Sequence, residues 1–486
     1  MRPASELPVL HVTAEYHPYA QSGGLGGAVR GLAEHQRRTG RPVTVLLPYY
    51  QQVRTLGHLV EEVATLLVPM GPGVLPARLL RHMHGDDLPE VLFLDIPSLY
   101  ERKTIYGEDG DYRDNHVRFA ALGRAAVELL RLRALAGGDP TVLHAHDWHA
   151  SLAPVYLRVA HGGEPWARRT PAILNVHNAG YQGQFPASVM PSIGLPWGLY
   201  RWDLMEWYGR LDYLKGGLVF CDAAVTVSAR HADELRTDEG GFGLQGQFRA
   251  MGDRLSGIRN GIEPELWDPM HDVNTAAPFH QGDLAGKAAC KADLQRRAGF
   301  RVDPALPLLV FCGRLVTQKG LELVVKSSLL RFPGAQFAFL GHGEDRFIEA
   351  IGRIAQQAPD RVLVRTDFRD DREHRMLAGA DMLLMPSYYE PCGLTQMRCQ
   401  RYGTLPLVRW VGGLADTVVD DVSGFVFGEY TVPALEAAFA RALGRFAEPL
   451  RWRAMMRFAM TRDFSWTGPS RAYDEVYARA LARHGA

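Results

Sequence analysis

The sequence has few cysteines, no long hydrophobic run and no excess of either charge, and each absence narrows what the protein can be. Its 486 residues include five cysteines, an odd number without a CxxC pair, which indicates neither a disulfide framework nor a zinc ribbon. No apolar run approaches the roughly 20 residues that a transmembrane helix needs. Lys+Arg and Asp+Glu each number 54, so no overall charge attracts nucleic acid or an anionic membrane. We predict a cytoplasmic protein without nucleic-acid or membrane partners.

Short apolar strands alternate with helical segments along the chain, in two successive series. Continuous apolar strands of this kind are typical of parallel sheets that are buried on both faces. The first series has strands at Val9–Ala14, Pro42–Leu47, Val91–Ile96, Val142–His146, Ile173–Val176 and Ala224–Val227. The second has strands at Leu308–Cys312, Gln336–Leu340, Val362–Val364, Met382–Met385 and Leu405–Val408. Two such series predict an α/β protein with two Rossmann-like, doubly wound domains.

The length of the chain also favours two domains, because one hydrophobic core rarely organises so many residues. We place an N-terminal domain at residues 1–259, a C-terminal domain at 260–465, and a last helix in 466–486 that packs back on the N-terminal domain. Ligands of such sheets bind beyond the carboxyl ends of the strands. We therefore expect the two domains to face a central cleft that holds the active site.

A glycine-rich turn follows the first strand, from Gln21 to Gly27. Glycines allow a ligand to approach the backbone closely, and the N-terminus of the following helix favours an anion. The turn is thus a candidate diphosphate site. A tight structural turn explains the same residues equally well.

Arg314 and Lys319 lie on the loop that follows the strand Leu308–Cys312. Arginine offers forked hydrogen bonds and lysine a point charge, so two cations at a strand end can converge on a diphosphate. The alternative is a pair of solvated surface cations. The position at a carboxyl strand end favours the diphosphate.

Glu390 lies in the segment Met385–Thr395, which leaves a strand and enters a helix at Gly393. A carboxylate held there beside Pro391 can accept hydrogen bonds from sugar hydroxyls, and the helix start behind it can bind phosphate. A lone glutamate near a helix start is otherwise a favourable partner of the helix dipole. The strand, the prolines and the glycine favour the functional interpretation.

Histidines cluster at the end of a strand, with His144, His146, Asp147 and His149 in one run and His177 after the next strand. No companion His/Cys set has the spacing of a zinc site, so we predict no metal there. Neutral imidazoles and Asp147 that bind sugar hydroxyls are the preferred interpretation. For His144, a hydrogen-bonded core histidine is the alternative.

No DxD-type pair of aspartates stands at a strand end to hold Mg²⁺ for a nucleotide-sugar. The two loop cations, Arg314 and Lys319, would then neutralise the charge that develops on a leaving diphosphate.

These motifs, in this order and spacing, resemble the bacterial glycogen synthases and plant starch synthases, which have the GT-B fold. The resemblance spans nearly the whole chain. The matching runs are Gly23–Leu25, His146–Ala150, Val176–Asn178, Tyr181–Gly183, Leu214–Gly217, Thr226–Ser228, Asn260–Ile262, Arg314–Leu315, Gln318–Gly320, Glu390–Gln396, Tyr402–Thr404, Gly412–Leu414 and Asp416–Val418.

The resemblance implies transfer of glucose from ADP-glucose or UDP-glucose to the non-reducing end of an α-1,4-glucan, with retention at the anomeric carbon and without metal or other cofactor. The N-terminal domain would bind the acceptor and the C-terminal domain the nucleotide-sugar. The implied catalytic residues are His177, Asp147, Arg314, Lys319 and Glu390. His177 and Glu390 would contact the donor glucose, and Arg314 and Lys319 the diphosphate.

The resemblance also implies a set of donor-binding residues. Phe368 takes the place of an aromatic residue that packs on the nucleobase, the backbone of residues 393–395 contacts phosphate, and Asn260 lines the cleft. The full set is Gln21, Gly23, Gly24, Asn260, Phe368, Gly393, Leu394 and Thr395.

The sequence departs from the family at two positions of the glycine-rich turn. The family has a lysine where this chain has Gln21, and an aspartate where it has Gly27. Loss of one charged hydrogen bond to phosphate costs about 1.5–3 kcal/mol, or about one to two decades in affinity or rate. We therefore keep two alternatives beside the synthase: a weakly active glucan-binding or regulatory homologue, and a GT-B transferase with another acceptor.

Overall fold

The computed structural model describes residues 6–85 and 87–483. Its backbone divides into two compact units. The first contains the chain up to Gly261 and again from Trp466 onward, and the second is Ile262–Ser465. The break after Gly261 assigns Asn260 to the first unit, not to the C-terminal domain in which the sequence analysis placed it.

The first unit is a strand–helix alternation up to residue 261. Its strands are β1 (Val9–Val12), β2 (Val43–Pro48), β3 (Val60–Met70), β4 (Gly73–His82), β5 (Glu90–Asp95), β6 (Val142–His146), β7 (Ala172–Val176), β8 (Gln184–Pro186), β9 (Glu206–Trp207), β10 (Arg210–Asp212), β11 (Ala223–Thr226) and β12 (Leu255–Gly257). Its helices are α1 (Leu25–Arg38), α2 (Gln51–Thr55), α3 (Pro97–Tyr100), α4 (Asn115–Leu135), α5 (Asp147–Ala150), α6 (Leu152–His161), α7 (Pro165–Arg168), α8 (Tyr213–Phe220), α9 (Ala229–Glu234) and α10 (Gln245–Ala250).

The main sheet of this unit is parallel through its centre. Within the described residues its order is β12-β11-β7-β6-β1-β2-β5-β4-β3. The central strands β1, β6 and β7 are buried along their whole length, as their continuous apolar sequences predict. Their carboxyl ends lie side by side because β1 pairs with β6 and β6 with β7 in parallel register. The turn after β1, Asp147 after β6 and His177 after β7 therefore come together at one edge.

A long antiparallel hairpin, β3–β4, extends the far side of the sheet and is absent from the sequence analysis. It pairs Val60–Met70 with Gly73–His82 around a turn at Gly71 and Pro72. Buried and exposed residues alternate at the end of β3, so this strand has one solvent-exposed face. Such alternation, beside a Gly-Pro turn, is the signal that predicts a half-buried hairpin.

The segment interpreted as an inserted loop region, about residues 180–210, contains a small antiparallel sheet in the order β8-β10-β9 and short 3₁₀ turns. Its aromatic residues divide between core and surface. Phe185 packs against the core of the unit, whereas Trp202 is 80% exposed.

The second unit repeats the parallel strand–helix alternation. Its strands are β13 (Leu308–Cys312), β14 (Gln336–Leu340), β15 (Val362–Arg365), β16 (Met382–Met385), β17 (Leu405–Arg409) and β18 (Phe425–Phe427). Its helices are α11 (Ala285–Ala298), α12 (Leu321–Lys326), α13 (Asp345–Gln357), α14 (Asp370–Gly379), α15 (Thr395–Arg401), α16 (Gly412–Thr417), α17 (Val432–Phe446) and α18 (Pro449–Thr461). The described strands pair in the order β15-β14-β13-β16-β17-β18, all parallel.

The last helix, α19 (Thr467–Ala482), is part of the first unit. Its residues Tyr473 and Tyr477 are fully buried in a cluster with Val9 and Leu32. Arg41 forms an ion pair with Asp474 at 2.7 Å on this contact. The hydroxyl groups of Tyr473 and Tyr477 lie on the buried side of the histidine cluster described below. None of the described helices is both long and apolar enough to span a membrane.

Candidate active site

The glycine-rich turn after β1 is anchored by Glu15. One carboxylate oxygen of Glu15 accepts the backbone N–H groups of Ser22 and Gly23, at 2.8 and 3.2 Å, and the other accepts the Tyr106 hydroxyl at 2.5 Å. These two backbone N–H groups, which the sequence analysis offered to a diphosphate, thus already have an acceptor. Sequence reasoning did not single out Glu15, although a carboxylate beside a glycine turn at a strand end was a usable signal.

The two central glycines of the turn are not required by packing. A Cβ atom built at Gly23 or Gly24 would meet no atom within 4 Å, and the φ angle of Gly24 is −77°, which any residue can adopt. Both positions are exposed. The open space that they leave beside the backbone is what the approach of a ligand requires.

The two departures from the family lie beside this space. Gln21 is exposed; its amide oxygen lies 2.7 Å from Nδ1 of His17, and its amide nitrogen donates to the carbonyl of Gly23. Gly27 is the third residue of α1, and a Cβ there would meet no atom within 4 Å. A larger residue therefore fits at position 27 without a change in packing.

Asp147 is held in a strained conformation at the end of β6. Its φ angle is +56°, a left-handed value that costs a non-glycine residue about 1 kcal/mol or more. Its carboxylate accepts the backbone N–H of His177 at 2.6 Å and that of Asn178 at 3.3 Å. The strain and the hydrogen bonds fix this carboxyl group beside the backbone that carries His177.

Burial raises the pKa of Asp147 to about 7, although the hydrogen bonds from His177 and Asn178 oppose this shift. The nearby carboxylate of Glu15 raises the pKa further. At neutral pH this carboxyl group is therefore divided between its neutral and ionised forms. Shifted pKa values of this kind mark candidate functional residues.

His177 is partly exposed and belongs to a chain of imidazoles that runs into the core. Its Nε2 lies 3.1 Å from Nδ1 of His146, and Nε2 of His146 lies 2.9 Å from Nδ1 of His11. Burial lowers the pKa of His177 to about 3 and that of His11 to about 4. For His146 burial lowers the pKa well below its usual value, and neighbouring histidines add to the effect. All three rings are neutral at physiological pH.

The same cluster has the composition of a candidate metal site. Among the described residues, His11, His144 and His146 form the group whose ligand atoms all lie within 4.8 Å of one another. The 2.9 Å contact between His11 and His146 joins two of the nitrogens that an ion would need, and Nε2 of His11 lies 2.9 Å from the Gln36 amide oxygen. Hydrogen bonds thus already use both nitrogens of His11 and both nitrogens of His146.

His144 and His149 are buried and lie behind the candidate site. Nδ1 of His144 lies 2.9 Å from the hydroxyl of Tyr477, as expected for a hydrogen-bonded core histidine. His149 stacks on Tyr106 at 4.8 Å between ring centroids, and burial lowers its pKa to about 3.

Asn260, the remaining predicted residue of this unit, is buried. It precedes Gly261, where a Cβ atom would lie 2.6 Å from the indole of Trp466. The close contact between Gly261 and Trp466 fixes the backbone on which Asn260 lies.

In the second unit, the loop that carries Arg314 and Lys319 is locked against the loop that carries Glu390. Gly320 has a φ angle of +76°, and a Cβ there would lie 1.8 Å from the carbonyl oxygen of Pro386. The backbone N–H of Tyr388 donates to the carbonyl of Gln318 at 2.8 Å. Because β13 and β16 are neighbours in the sheet, these two loops start from adjacent strand ends.

Lys319 and Glu390 form a largely buried ion pair. Nζ of Lys319 lies 2.6 Å from Oε2 of Glu390, with 17% and 7% of the two side chains exposed. The buried hydroxyl of Ser387 donates to the same oxygen at 3.0 Å. The described contacts therefore occupy Oε2 of Glu390 and leave Oε1 for a ligand. Sequence reasoning quoted Ser387 within the motif but assigned it no role.

Glycines also hold the Glu390 loop from behind. A Cβ at Gly412 would lie 1.9 Å from the carbonyl oxygen of Glu390, and the N–H of Gly413 donates to that oxygen at 3.1 Å. Only glycines allow α16 to approach this loop so closely.

The remaining predicted residues of this unit are at least partly exposed. Arg314 is exposed, and its guanidinium donates to Gln318 at 3.1 Å. Phe368 follows β15 and is 41% exposed. Gly393 has a φ angle of +68°, and Leu394 and Thr395 follow it at the start of α15.

Comparisons with known proteins match both halves of the chain. Residues 8–250 match the model of the starch synthase catalytic domain, and residues 295–453 match that of the glycosyl transferases group 1. A curated glycogen synthase of Anaeromyxobacter dehalogenans is 40% identical over 98% of this chain and 99% of its own length. The chain belongs to the glycogen and starch synthase family.

Solved structures agree with this family and its GT-B fold. The catalytic domain of starch synthase IV from Arabidopsis thaliana, solved with ADP and acarbose, is 30% identical, with a TM-score of 0.87, over 98% of this chain and 100% of that one. Sucrose-phosphate synthase from Thermosynechococcus elongatus is 18% identical with a TM-score of 0.61, a likeness in fold alone. As a member of the glycogen and starch synthase family, the protein is a glucosyltransferase.

Proposed function

We propose that this protein transfers glucose from ADP-glucose, or from UDP-glucose, to the non-reducing end of an α-1,4-glucan, with retention at the anomeric carbon and without a metal ion. The observation that carries the proposal is the ion pair between Lys319 and Glu390 on adjacent strand ends of the second unit. The ADP in the Arabidopsis relative supports an adenine nucleotide donor.

In this proposal, the cations of the second unit bind the donor diphosphate. Arg314 offers a forked guanidinium and Lys319 an ammonium group, and both stabilise the negative charge that develops as the sugar leaves. The backbone of residues 393–395 adds contacts to phosphate, and Phe368 packs on the nucleobase. Because two cations supply the neutralising charge, the step needs no divalent ion.

Glu390 orients the donor glucose. Its Oε2 is held by Lys319 and Ser387, and Oε1 accepts a sugar hydroxyl. Two fixed hydrogen bonds on one oxygen hold the rotamer of the carboxylate, so the other oxygen meets the sugar in one position.

The first unit contributes its own proposed contacts to the substrates. His177 hydrogen-bonds a hydroxyl of the glucose near the reacting carbon, and Asp147 holds the backbone of His177. The open turn at Gly23 and Gly24 and the neighbouring Gln21 contact the donor, and Asn260 adds a further polar contact. Neutral imidazoles suit neutral hydroxyls, because neither partner needs a counter-charge.

The transfer proceeds without a covalent enzyme intermediate. The bond between the anomeric carbon and the phosphate oxygen breaks, and the acceptor 4-hydroxyl attacks from the same face through an oxocarbenium-like state. The acceptor proton moves to the departing phosphate oxygen. The products are the lengthened glucan and a nucleoside diphosphate.

We also propose that the protein works in the cytoplasm, which its cysteines support. All five are buried thiols, as is common for proteins of a reducing compartment.

The test is a donor comparison with purified protein, ADP-glucose against UDP-glucose, with and without glycogen primer and with EDTA. We expect primer-dependent release of nucleoside diphosphate, insensitive to EDTA, and an α-linkage in the product by NMR. Glu390→Ala should lower turnover by orders of magnitude. Lys326→Ala is the matched control, since Lys326 forms an exposed ion pair with Glu322 in the same unit. Wild-type turnover in Glu390→Ala would overturn the assigned role.

A weakly active glucan-binding homologue is the second candidate, favoured by Gln21 and Gly27. It predicts saturable binding of glycogen with turnover at background for both donors. Robust primer-dependent turnover would exclude it.

A further inference from the structure

The imidazole of His177 is the outer end of a buried hydrogen-bonded relay. From His177 the relay passes through His146 and His11 to the side chain of Gln36, with ring–ring contacts of 3.1 and 2.9 Å and a ring–amide contact of 2.9 Å. His146, His11 and Gln36 are each at most 1% exposed. Because these groups are shielded from bulk solvent, each proton in the relay is shared with the next member.

The relay continues to α19. The Gln36 amide lies 3.1 Å from the hydroxyl of Tyr477, and that hydroxyl lies 2.9 Å from Nδ1 of His144. The other nitrogen of His144, Nε2, is buried and has no hydrogen-bond partner among the described residues. His144 is therefore the inner end of the relay.

The protons of such a relay must all point the same way. A neutral imidazole has one N–H donor and one bare acceptor nitrogen, so a ring that donates on one side accepts on the other. Burial lowers the pKa of every histidine in the relay, which keeps the rings neutral. Two concerted arrangements remain: His177 carries its proton on Nδ1, or it carries it on Nε2.

Asn175 decides between these arrangements at the outer end. Its amide nitrogen lies 3.1 Å from Nε2 of His177 and 2.9 Å from the hydroxyl of Tyr473, whereas its amide oxygen has no partner among the described residues. Rotating the amide would leave both of its N–H groups buried without an acceptor. Unmet buried N–H groups are rarer than unmet acceptors, so the amide nitrogen faces His177. Nε2 of His177 is then bare, and its one lone pair is shared by the N–H groups of Asn175 and His146.

The inner end gives the same answer. If His144 carries its proton on Nδ1, it donates to the hydroxyl of Tyr477, and Nε2 is an acceptor without a partner among the described residues. If it carries the proton on Nε2, that N–H group is buried without an acceptor. The arrangement with protons on Nδ1 requires the Gln36 amide to turn by half a rotation, so that its nitrogen faces His11 and its oxygen Tyr477. The turn exchanges one donor and one acceptor and leaves no group unpaired.

We propose that Asn175 is a positioning residue, which, with the buried relay, holds the proton of His177 on Nδ1 and so presents the ring to the donor sugar as a hydrogen-bond donor. The inference rests on the proposed contact between His177 and the glucose. It adds the direction of that hydrogen bond and names the residue that sets it.

The direct test is NMR of the full-length protein labelled with ¹⁵N-histidine, since two-bond ¹H–¹⁵N spectra distinguish the two neutral tautomers. His177→Asn identifies the signals of His177 by their loss. We expect the Nδ1–H tautomer for His177, His146 and His11 at pH 7.5, although a free histidine side chain prefers Nε2–H. A wild-type spectrum with His177 as Nε2–H or as an even mixture would overturn the proposal, and so would stoichiometric zinc bound by these rings.

A variant pair tests Asn175 itself. Asn175→Asp keeps the size but can only accept, so it should switch His177 to Nε2–H or protonate it, and lower kcat/KM by about tenfold, as for the loss of one hydrogen bond of about 1.4 kcal/mol. Tyr473→Phe is the control, because it removes the other partner of Asn175 and leaves the contact to His177 intact. It should keep the Nδ1–H tautomer and kcat/KM within about threefold.

The two proposals fail in different ways. If His177→Ala keeps full turnover, the contact with glucose is wrong, whereas the tautomer spectrum still reports on the relay. If His177→Ala is inactive and Asn175→Asp keeps both the Nδ1–H tautomer and the wild-type kcat/KM, the relay assignment fails and the proposed function stands. Should Asn175→Asp not fold, the wild-type spectrum remains decisive.

Discussion

The two units share one architecture, but the residues that follow their strands differ in charge. In the first unit the groups around His177 are neutral imidazoles in a buried relay, with a carboxyl group whose pKa burial raises to about 7. In the second unit, Lys319 and Glu390 form an ion pair at 2.6 Å beside the exposed Arg314. Uncharged groups suit neutral hydroxyls and charged groups suit a diphosphate. A parallel sheet thus fixes where a site forms, and the residues after each strand decide what it binds.

The largest expected effect is loss of the ion pair in the second unit. Lys319→Met should lower kcat/KM by about two to three decades, since it removes a cation that stabilises the charge on the diphosphate and leaves Glu390 buried without its partner. Glu390→Gln should lower it similarly. In steady-state assays the double variant should lose much less than the product of the single losses, because the two side chains act as a pair. Fully multiplicative losses would contradict a coupled pair.

In the first unit, Asp147→Asn should raise stability at high pH. Because the folded-state pKa of about 7 lies above the ordinary value of 3.8, the folded state holds the proton between about pH 4 and 7, and stability falls as pH rises through this window. Because asparagine cannot ionise, the variant does not lose stability as pH rises through this window. Urea unfolding at pH 8 should therefore show a gain of up to about 4 kcal/mol, and unfolding at pH 4 little change. An equal change at both values would refute the raised pKa.

Placing the family's lysine and aspartate in the glycine-rich turn should add charged groups to the candidate site of the first unit. Gln21→Lys with Gly27→Asp should raise kcat/KM for the donor by about 10- to 100-fold, because the lysine adds one charged hydrogen bond to phosphate, which contributes about 1.5–3 kcal/mol. The structure accommodates both changes, since position 27 is open and a carboxylate there lies in the first turn of α1. Background turnover in the double variant would favour the glucan-binding homologue.

A smaller effect concerns the acid sensitivity of the first unit. Its buried histidines have lowered folded-state pKa values, so the unfolded state binds more protons below pH 6.5 and stability falls as pH falls. Nδ1 of His149 has no hydrogen-bond partner within the described part of the chain, and His149→Phe keeps the aromatic packing. The variant should reduce the stability difference between pH 7.5 and pH 5 by about 2 kcal/mol. An unchanged difference would contradict the lowered folded-state pKa of His149.

The sequence predicts the strands of both sheets well, because buried parallel strands are short, apolar and bounded by loops. Predicted and observed bounds coincide at β13 and β14. The hairpin β3–β4 escaped prediction because apolar residues also occupy exposed positions, such as Leu67 and Val74, so its sequence does not alternate clearly. The edge strand β18, only three residues long, gives too short a pattern to recognise.

The candidate site was predictable only where it depends on local pattern. Lys319 and Glu390 follow neighbouring strands, so their proximity follows from topology. The contacts of Glu15 with Tyr106 and of His11 with Gln36 join residues far apart in the chain. No periodicity or spacing reports such long-range contacts, which depend on how helices pack on the sheet.

The central claim is that the second unit binds the diphosphate, whereas His177 of the first unit contacts the glucose. Calorimetry of ADP binding, together with turnover assays, tests this claim most directly. We predict that Lys319→Ala weakens ADP binding by tenfold or more, about 1.4 kcal/mol, whereas His177→Ala leaves it within about twofold, although both variants lose turnover. Equal weakening by both variants, or wild-type ADP affinity in Lys319→Ala, would contradict the account.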